Sequence, residues 1–196
     1  MELMMTLAVV GVILGIAIPN FRDFLLNSRM TGTANDLHAG FQLARSEAIK
    51  RQRSVAICPS ANPRATPPTC VSSTTWSNAA SPAGWVVWVD ANNDATPDAA
   101  EFVVAPHDPV APSLSIASNF NVISYLSNGF AEVPGNPDER AILICDERGN
   151  QPVGDNYRKR VISVSRTGRA AVLRVVGEVD DAEDGAFGDT GNCPET

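Results

Sequence analysis

The chain begins with the stretch MELMMTLAVVGVILGIAIPNF, residues 1–21, which decides how the rest of the molecule is organised. From Leu3 to Ile18 every residue is apolar or glycine, apart from one threonine. Such a run is slightly shorter than the roughly 20 residues that an upright membrane helix needs. Glu2 stands at its start and Pro19 at its end. The stretch therefore predicts a helix suited to an apolar environment.

Three interpretations of this helix differ in how they treat Glu2. A cleaved secretion signal would carry a basic segment before its apolar core and a small-x-small cleavage site after it, and neither accompanies this run. A plain membrane anchor and a helix that leaves the membrane to pack among other helices both remain. A lone carboxylate in an apolar helix is costly in lipid and marks a functional candidate. The alternative is an acid favoured simply by the dipole at a helix N-terminus.

The composition fits one stem and one globular domain. The chain has 196 residues, so roughly 140 remain after the stem and its helical continuation, enough for one core of ordinary size. The formal net charge of −7 argues against a protein whose whole surface binds nucleic acid, although a local basic patch is compatible with it. Positive charges concentrate in residues 22–53, and every charged residue from Glu178 onward is acidic.

The four cysteines predict disulfides. A zinc site is poorly supported, since no CxxC occurs and both histidines are distant from any cysteine in sequence. An even number in a domain beyond a membrane favours disulfides. Three pairings are possible; we favour Cys58–Cys70, which closes a proline-rich loop, and Cys145–Cys193, which ties the acidic tail to a strand. The alternative is four buried free thiols.

The pattern after the stem predicts the amphipathic half of a long helix over residues 22–52. Its apolar side is expected to consist of Leu37, Phe41, Ala44, Ala48 and Ile49. Thr31-Gly32-Thr33 is a place where we expect the helix to loosen. Together with the stem, the helix would be about 75 Å long.

Strand candidates follow throughout residues 54–196. They are Ser54–Cys58, Gly84–Asp90, Glu101–Ala105, Ser113–Ser118, Phe120–Leu126, Ala141–Cys145, Arg160–Ser165 and Ala170–Val176. The second and third of these, and the last two, are predicted to form hairpins. The predicted fold class is α+β: a long N-terminal α-helix, made of a membrane stem and an amphipathic half, packed on a mostly antiparallel β-sheet. We expect a stem over residues 1–21 and a globular domain over residues 22–196.

The stem resembles the N-terminus of type IV pilins and pseudopilins. Mature chains of that class begin with Phe, Thr, Leu, a fourth apolar residue and Glu, so Met1-Glu2-Leu3-Met4-Met5 would continue such a sequence from its fourth residue. Pro19 matches the helix-kinking proline of the class. The resemblance implies that translation starts upstream of Met1 and that a prepilin peptidase removes a leader. A protein that is never processed is the alternative.

Internal segments resemble the GspH/FimT/FimU group of minor pilins and pseudopilins. They are Leu43–Arg51, Cys58-Pro59, Gly84–Asp90 and Ser165–Arg169. The resemblance implies a minor pilin that helps to start or cap a type IV pilus. It would be held in the inner membrane by one helix, with its domain in the periplasm, and then be incorporated among other minor and major pilins. Glu2 would neutralise the N-terminal amine of a neighbouring subunit.

The resemblance leaves two other functions open and implies no cofactor. One is a DNA-binding minor pilin for DNA uptake, similar to FimT, and the other is the H pseudopilin of a type II secretion system. The DNA-binding candidates are Arg166, Arg169 and Arg174, because some FimT-type pilins that take up DNA resemble this segment and carry Gly-Arg-x-Arg there. Here Gly168-Arg169 is followed by two alanines, so the second arginine of that pattern is missing. The plainer interpretation is that these arginines keep the hairpin strands soluble.

Residues 90–101 place oxygen-bearing side chains at the ligand positions of a calcium loop. These are Asp90, Asn92, Asp94, Thr96, Asp98 and Glu101. Ala95 stands where such a loop normally needs glycine, and the flanking residues predict strands instead of helices. A solvated acidic hairpin tip is therefore the preferred interpretation.

We expect a structural or binding protein and not an enzyme. The sequence contains no GxSxG, phosphate-loop or HExxH motif, and neither histidine accompanies a nucleophile motif. Trp76, Trp85 and Trp88 are expected in the core or on a sheet face, not in a ligand cage.

Overall fold

A computed structural model describes residues 2–71, 75–118, 120–133, 140–149, 152–153, 156–176 and 193. Within these residues a single long helix precedes a series of β-strands. The elements are α1 (Glu2–Arg51), β1 (Ser54–Ser60), β2 (Thr75–Ser77), β3 (Gly84–Asp90), β4 (Val103–His107), β5 (Leu114–Ser118), β6 (Ile123–Tyr125), β7 (Ala131–Glu132), β8 (Ala141–Asp146), β9 (Pro152–Val153), β10 (Asn156–Val164) and β11 (Ala170–Val176).

Helix α1 runs without interruption from the apolar stem into the domain. The prediction that it loosens at Thr31-Gly32-Thr33 is wrong. Met30 and Ala34, on either side of that segment, are both buried against the strands. Their burial outweighs the cost of roughly 1 kcal/mol that one glycine imposes on a helix interior.

The back half of α1, residues 26–51, packs on the strands through one apolar face with helical spacing. The buried members of this face are Leu26, Met30, Ala34, Leu37, Phe41, Ala44 and Ala48. Four of the five residues expected on this face are thus buried, and the expectation for Ile49 is wrong because Ile49 is 43% exposed. Ile49 lies one step round the helix from Ala48, beside the turn at Gly129.

The strands form two antiparallel sheets, where the sequence predicted one. The first has the order β4-β3-β1-β6-β7 and the second the order β11-β10-β8-β5-β2, with β9 paired to β10. Both predicted hairpins are confirmed: β3 pairs with β4, and β10 with β11. Short strand β2 lies in a segment where no strand was predicted.

The main core lies where α1 and the inner faces of both sheets meet. It includes Trp76 and Trp85, and Trp88 is buried on the opposite face of the first sheet, so the prediction for the tryptophans is confirmed. Each sheet also carries a small apolar cluster on its outer face, and each of these clusters contains a disulfide.

The two disulfides join the pairs favoured from sequence. Cys58–Cys70 links β1 to the proline-rich loop, with 5.6 Å between the two Cα atoms. Cys145–Cys193 links β8 to the C-terminal segment, with 5.8 Å between the Cα atoms. Each bond therefore lies in the apolar cluster on the outer face of one sheet and joins it to a segment distant in sequence.

Candidate functional site

The front half of α1, residues 3–25, is an apolar surface that the domain does not cover. Met4 is 80% exposed and Phe24 is 65% exposed. By length and composition, α1 is the helix in the described part of the chain that is suited to crossing a membrane. Its most apolar window has a mean hydropathy of 2.1, and none of that window is buried inside the protein.

A flat strip on this surface is formed by Gly11 and Gly15, which are separated by one helical turn. A Cβ atom at either position would meet nothing within 4 Å. Small residues four apart let two helices approach closely in a membrane or an apolar bundle. The front half therefore offers other helices a surface with room for close packing.

Glu2 and Pro19 belong to α1, but their side chains lie outside the part of the chain that the structure describes. The assembly role assigned to both residues stays a prediction.

A polar cluster fixes the boundary between the two halves of α1. Arg148, in the turn after β8, donates hydrogen bonds to Asp146, to Asp23 over 3.3 Å and to Asn27 over 2.9 Å. Arg22 forms a second ion pair with Glu147, with 2.6 Å between Nη2 and Oε1. The hydrogen bonds to Asp146 raise the pKa of Arg148, and burial opposes this. The cluster ties the helix to the domain just where its exposed apolar surface begins.

Two of the three DNA-binding candidates lie on one exposed turn between β10 and β11. Arg166 and Arg169 flank Gly168, whose φ of +76° allows the turn, and Ser165 accepts the amide hydrogen of Gly168 over 2.8 Å. Arg174 lies opposite Arg160 in the strand register, and its side chain is outside the described part. Five residues of strand separate its backbone from Arg169 by about 17 Å. The turn therefore carries two of the three candidate arginines.

The calcium-loop candidates form a turn whose oxygens bind its own backbone. Asp90 accepts the amide hydrogens of Asp94 over 3.2 Å and Ala95 over 3.1 Å, and Glu101 accepts that of Ala91 over 2.7 Å. Ala95 has a φ of +60°, so alanine occupies a left-handed position here.

The remaining candidates also make hydrogen bonds within the loop, to its backbone or to each other. Asp94 accepts the amide hydrogen of Thr96 over 2.8 Å, and the Asn92 amide donates to Asp98 over 3.2 Å. Across the described ranges, no group of three or more Asp, Glu, His or Cys side chains is placed to hold a metal ion. Calcium binding stays a prediction.

A groove of about 800 Å³ opens at the end of the domain where these two turns meet. Its lining residues are Ser54, Asp90, Asn93, Ala95, Ser124, Leu126, Asn128, Phe130, Ala131, Glu132, Val133, Arg140 and Arg166. Burial lowers the pKa of Arg140, and the charge of Glu132 opposes this. Burial likewise raises the pKa of Asp90, against the hydrogen bond from the Ala95 amide.

Sequence reasoning missed both Arg140 and Arg148. Each stands in a segment with no motif, and its surroundings are made by residues remote in sequence. Arg148 meets Asp23 across 125 positions. In the sequence, Arg140 and Arg148 are marked only by being basic residues close to the end of a predicted strand.

Comparison of the sequence with known protein families identifies a match. The sequence model of the family described as "Type II transport protein GspH" matches residues 33–168. Two crystal structures of the type IV minor pilin FimU of Pseudomonas aeruginosa, strain PAO1, are 22% identical to the chain. The match to one of them covers 73% of this chain and 91% of the FimU chain, with a TM-score of 0.45. The match to the other covers 76% of this chain and 92% of the FimU chain, with a TM-score of 0.48.

No curated protein matches the sequence. The family model, however, spans more than half of the chain, from residue 33 in the back half of α1 to residue 168 in the β10–β11 turn. The chain therefore belongs to the GspH family of type IV minor pilins and type II secretion pseudopilins.

Proposed function

We propose that the protein is a minor pilin that takes part in assembling a type IV pilus, in the complex that initiates or tips the fibre. One observation carries the proposal: the exposed apolar front half of α1 continues directly into a back half that is packed in the domain. The domain leaves the front half uncovered, so lipid or other helices must cover it. The stem of a pilin is covered by each of these in turn: by the lipid of the inner membrane before assembly, and by the helices of neighbouring pilins after it.

The rigid link between stem and domain suits this role. The stem is continuous helix, and the Arg148 cluster holds residues 23–27 against the turn after β8. A domain held in this way moves with its stem when the stem leaves the membrane. Before assembly the domain would lie in the periplasm, where the two disulfides are stable.

Glu2 supplies the specificity of assembly in this proposal. Its carboxylate neutralises the N-terminal amine of a neighbouring pilin, and a processed N-terminus would be made by the prepilin peptidase. In an apolar helix bundle, removal of one partner leaves the other charge unpaired at a cost of about 3–5 kcal/mol. Since the family's proteins are structural, we propose no catalytic activity.

The test compares Glu2→Ala with the charge-preserving control Glu2→Asp in the native host. We expect Glu2→Ala to insert in the inner membrane with a folded, disulfide-bonded domain and to be missing from sheared pili. Glu2→Asp should retain a substantial part of the incorporation. Immunoblots of the membrane and sheared fractions measure both. Normal incorporation of Glu2→Ala would contradict the proposed role.

The pseudopilin alternative is favoured by the description of the family as a type II transport protein. A deletion strain separates it from the first proposal when surface pili and secreted enzymes are assayed together. Loss of pili with normal secretion supports the minor pilin. Loss of secretion with normal pili supports the pseudopilin.

The DNA-binding alternative has the exposed turn of Arg166 and Arg169 in its favour. Two phosphate contacts predict a log–log salt slope of only about −1.8 for double-stranded DNA. A gel shift with the full chain in detergent micelles tests it, with Arg166→Ala/Arg169→Ala against Arg53→Ala, an exposed arginine at the end of α1. Binding unaffected by the double substitution would remove this alternative.

A further inference from the structure

Arg140 is a buried cation with an unsatisfied hydrogen-bond donor. It stands immediately before β8, and only 7% of its surface is exposed. Its Nε atom is buried and has no hydrogen-bond partner within the described residues. A buried N–H donor without an acceptor is unfavourable, and the charge of Glu132 favours the Arg140 cation without supplying that acceptor. An acceptor oxygen from a ligand would satisfy the donor.

Arg140 faces the groove described above, and a second arginine lies at the rim. Arg166 contributes to the same lining, as do Ser54 and Ser124, whose residues are each 8% exposed. The volume of about 800 Å³ lies within the range of ligand-binding clefts. A guanidinium group binds a carboxylate or a phosphate through two parallel hydrogen bonds.

The acidic residues of the groove distinguish between these two anions. Asp90, which is 2% exposed, forms part of the wall, and exposed Glu132 forms part of the rim. Carboxylates therefore lie beside the arginines in the lining, and they make the groove less suited to a polyanion such as nucleic acid. A ligand that carries one carboxylate beside several N–H donors complements both kinds of group: its carboxylate can bind the arginines, and its N–H groups can bind the acidic residues.

We propose that this groove binds an acidic side chain, with its flanking backbone, of an extended peptide segment from another protein. The carboxylate of the ligand accepts hydrogen bonds from Arg140 and from Arg166 at the rim. It also neutralises the buried charge of Arg140. Glu132 accepts a backbone N–H of the same segment. The inference is independent of the pilus proposal, since it rests on the groove alone.

The chain's own acidic segment is the less suitable occupant. It begins after β11, which ends at Val176, and it is tied down again at Cys193 by Cys145. In the strand register both of these points lie at the end of the second sheet opposite to Arg140. A segment from a separate protein meets no such constraint.

The experiment uses the full chain in detergent micelles with ¹⁵N-labelled arginine, and it follows the Nε–H signals of Arg140 and Arg166. The probes are an end-blocked pentapeptide of serine and alanine with one central glutamate, the same peptide with glutamine, and sodium acetate at matched ionic strength. We expect the glutamate peptide to shift both signals saturably and the glutamine peptide to leave them unchanged. This comparison needs no substituted chain.

Substitutions then locate the effect. Arg140→Gln should weaken binding at least about tenfold, followed through the Arg166 signal, because it removes a charge-assisted contact. Arg140→Lys keeps the positive charge but loses the planar guanidinium group that can donate two parallel hydrogen bonds. It should weaken peptide binding less than Arg140→Gln does. Arg169→Gln, outside the groove lining, should leave binding unchanged.

Four outcomes would overturn the proposal. Equal shifts with both peptides would show that the carboxylate is not recognised. Acetate that half-saturates at the same concentration as the glutamate peptide would indicate a site for small acids. Competition by a double-stranded DNA oligonucleotide would assign the groove to nucleic acid. Insensitivity to every probe, with shifts appearing only when the acids from Glu178 onward become amides, would assign it to the chain's own tail.

Discussion

The two halves of α1 have the same backbone and opposite surroundings. In the front half, large apolar side chains such as Leu7 and Val12 are more than 60% exposed. In the back half, side chains of the same kind, such as Leu37 and Phe41, are fully buried. The polar residues of the Arg148 cluster mark the change.

This contrast shows that one helix is built for two different partners. The back half obtains its stability from its own domain, through a stripe of residues three or four apart. From Leu3 to Ile18 the front half is apolar on all sides, a pattern that belongs to a membrane or to the interior of a bundle. The domain therefore folds around half a helix, and the other half remains available to other molecules.

The largest expected effect compares one substitution in each half. Phe41→Ala should lower the free energy of unfolding by about 3–5 kcal/mol, because it removes a buried aromatic side chain and leaves a cavity. Leu14→Ala, at a position that is 51% exposed, should change it by less than about 0.5 kcal/mol. Tryptophan fluorescence during denaturant unfolding of the full chain in micelles measures both, since all three tryptophans are buried in the domain.

A loss of more than 1 kcal/mol from Leu14→Ala would break the comparison, because it would mean that the stem packs on the domain. Leu37→Ala serves as a second core variant, with an expected loss of about 2–5 kcal/mol.

Two glycines of the back half give a smaller and more specific contrast. A Cβ at Gly40 would lie 3.1 Å from Nε1 of Trp85, whereas a Cβ at Gly32 would meet nothing within 4 Å. Both substitutions to alanine gain about 1 kcal/mol of helix propensity. Overpacking at Gly40 should cost about 1–3 kcal/mol, so Gly40→Ala is expected to be less stable than Gly32→Ala by that amount.

The same unfolding experiment measures this pair, and Gly15→Ala in the stem is the control for the front half. Equal stability of the two back-half variants would show that α1 can move away from Trp85 without cost. The contact between the helix and the first sheet would then be looser than the structure indicates.

The sequence was informative where a residue's role depends on its near neighbours. The β10–β11 turn, for instance, was predicted from Gly168 between two apolar runs, and its glycine does adopt positive φ. The stem was predicted from an uninterrupted apolar run, and four of the five residues on the amphipathic face of α1 were predicted correctly from helical spacing. These features are local, so the order of residues determines them.

Features that arise from long-range contact could not be predicted in this way. The division of the strands into two sheets depends on β8 pairing with β5 and β10, which the order of strand candidates does not specify. The burial of Arg140 depends on the groove around it, and the role of Arg148 depends on Asp23. No periodicity or motif marks a residue whose partners are remote in the chain.

The smallest expected effect concerns Tyr125, which lies beneath the back half of α1. It is fully buried, and its hydroxyl has no hydrogen-bond partner within the described residues. Burial raises its pKa above the ordinary value of 10.0, against the opposing charge of Arg45 on α1. Above pH 10 the unfolded chain therefore loses a proton that the folded chain keeps, so stability should fall as the pH rises.

Tyr125→Phe should remove this part of the pH dependence. Between pH 10 and pH 11 the wild-type chain is expected to lose about 1 kcal/mol more than the variant. At pH 7 the variant should be as stable as the wild type or more stable by up to about 1 kcal/mol, since it no longer buries an unpaired hydroxyl. Unfolding curves of both chains at pH 7, 10 and 11 measure the difference. Identical pH dependence would mean that water reaches Tyr125, and the back half of α1 would then not seal the core from solvent.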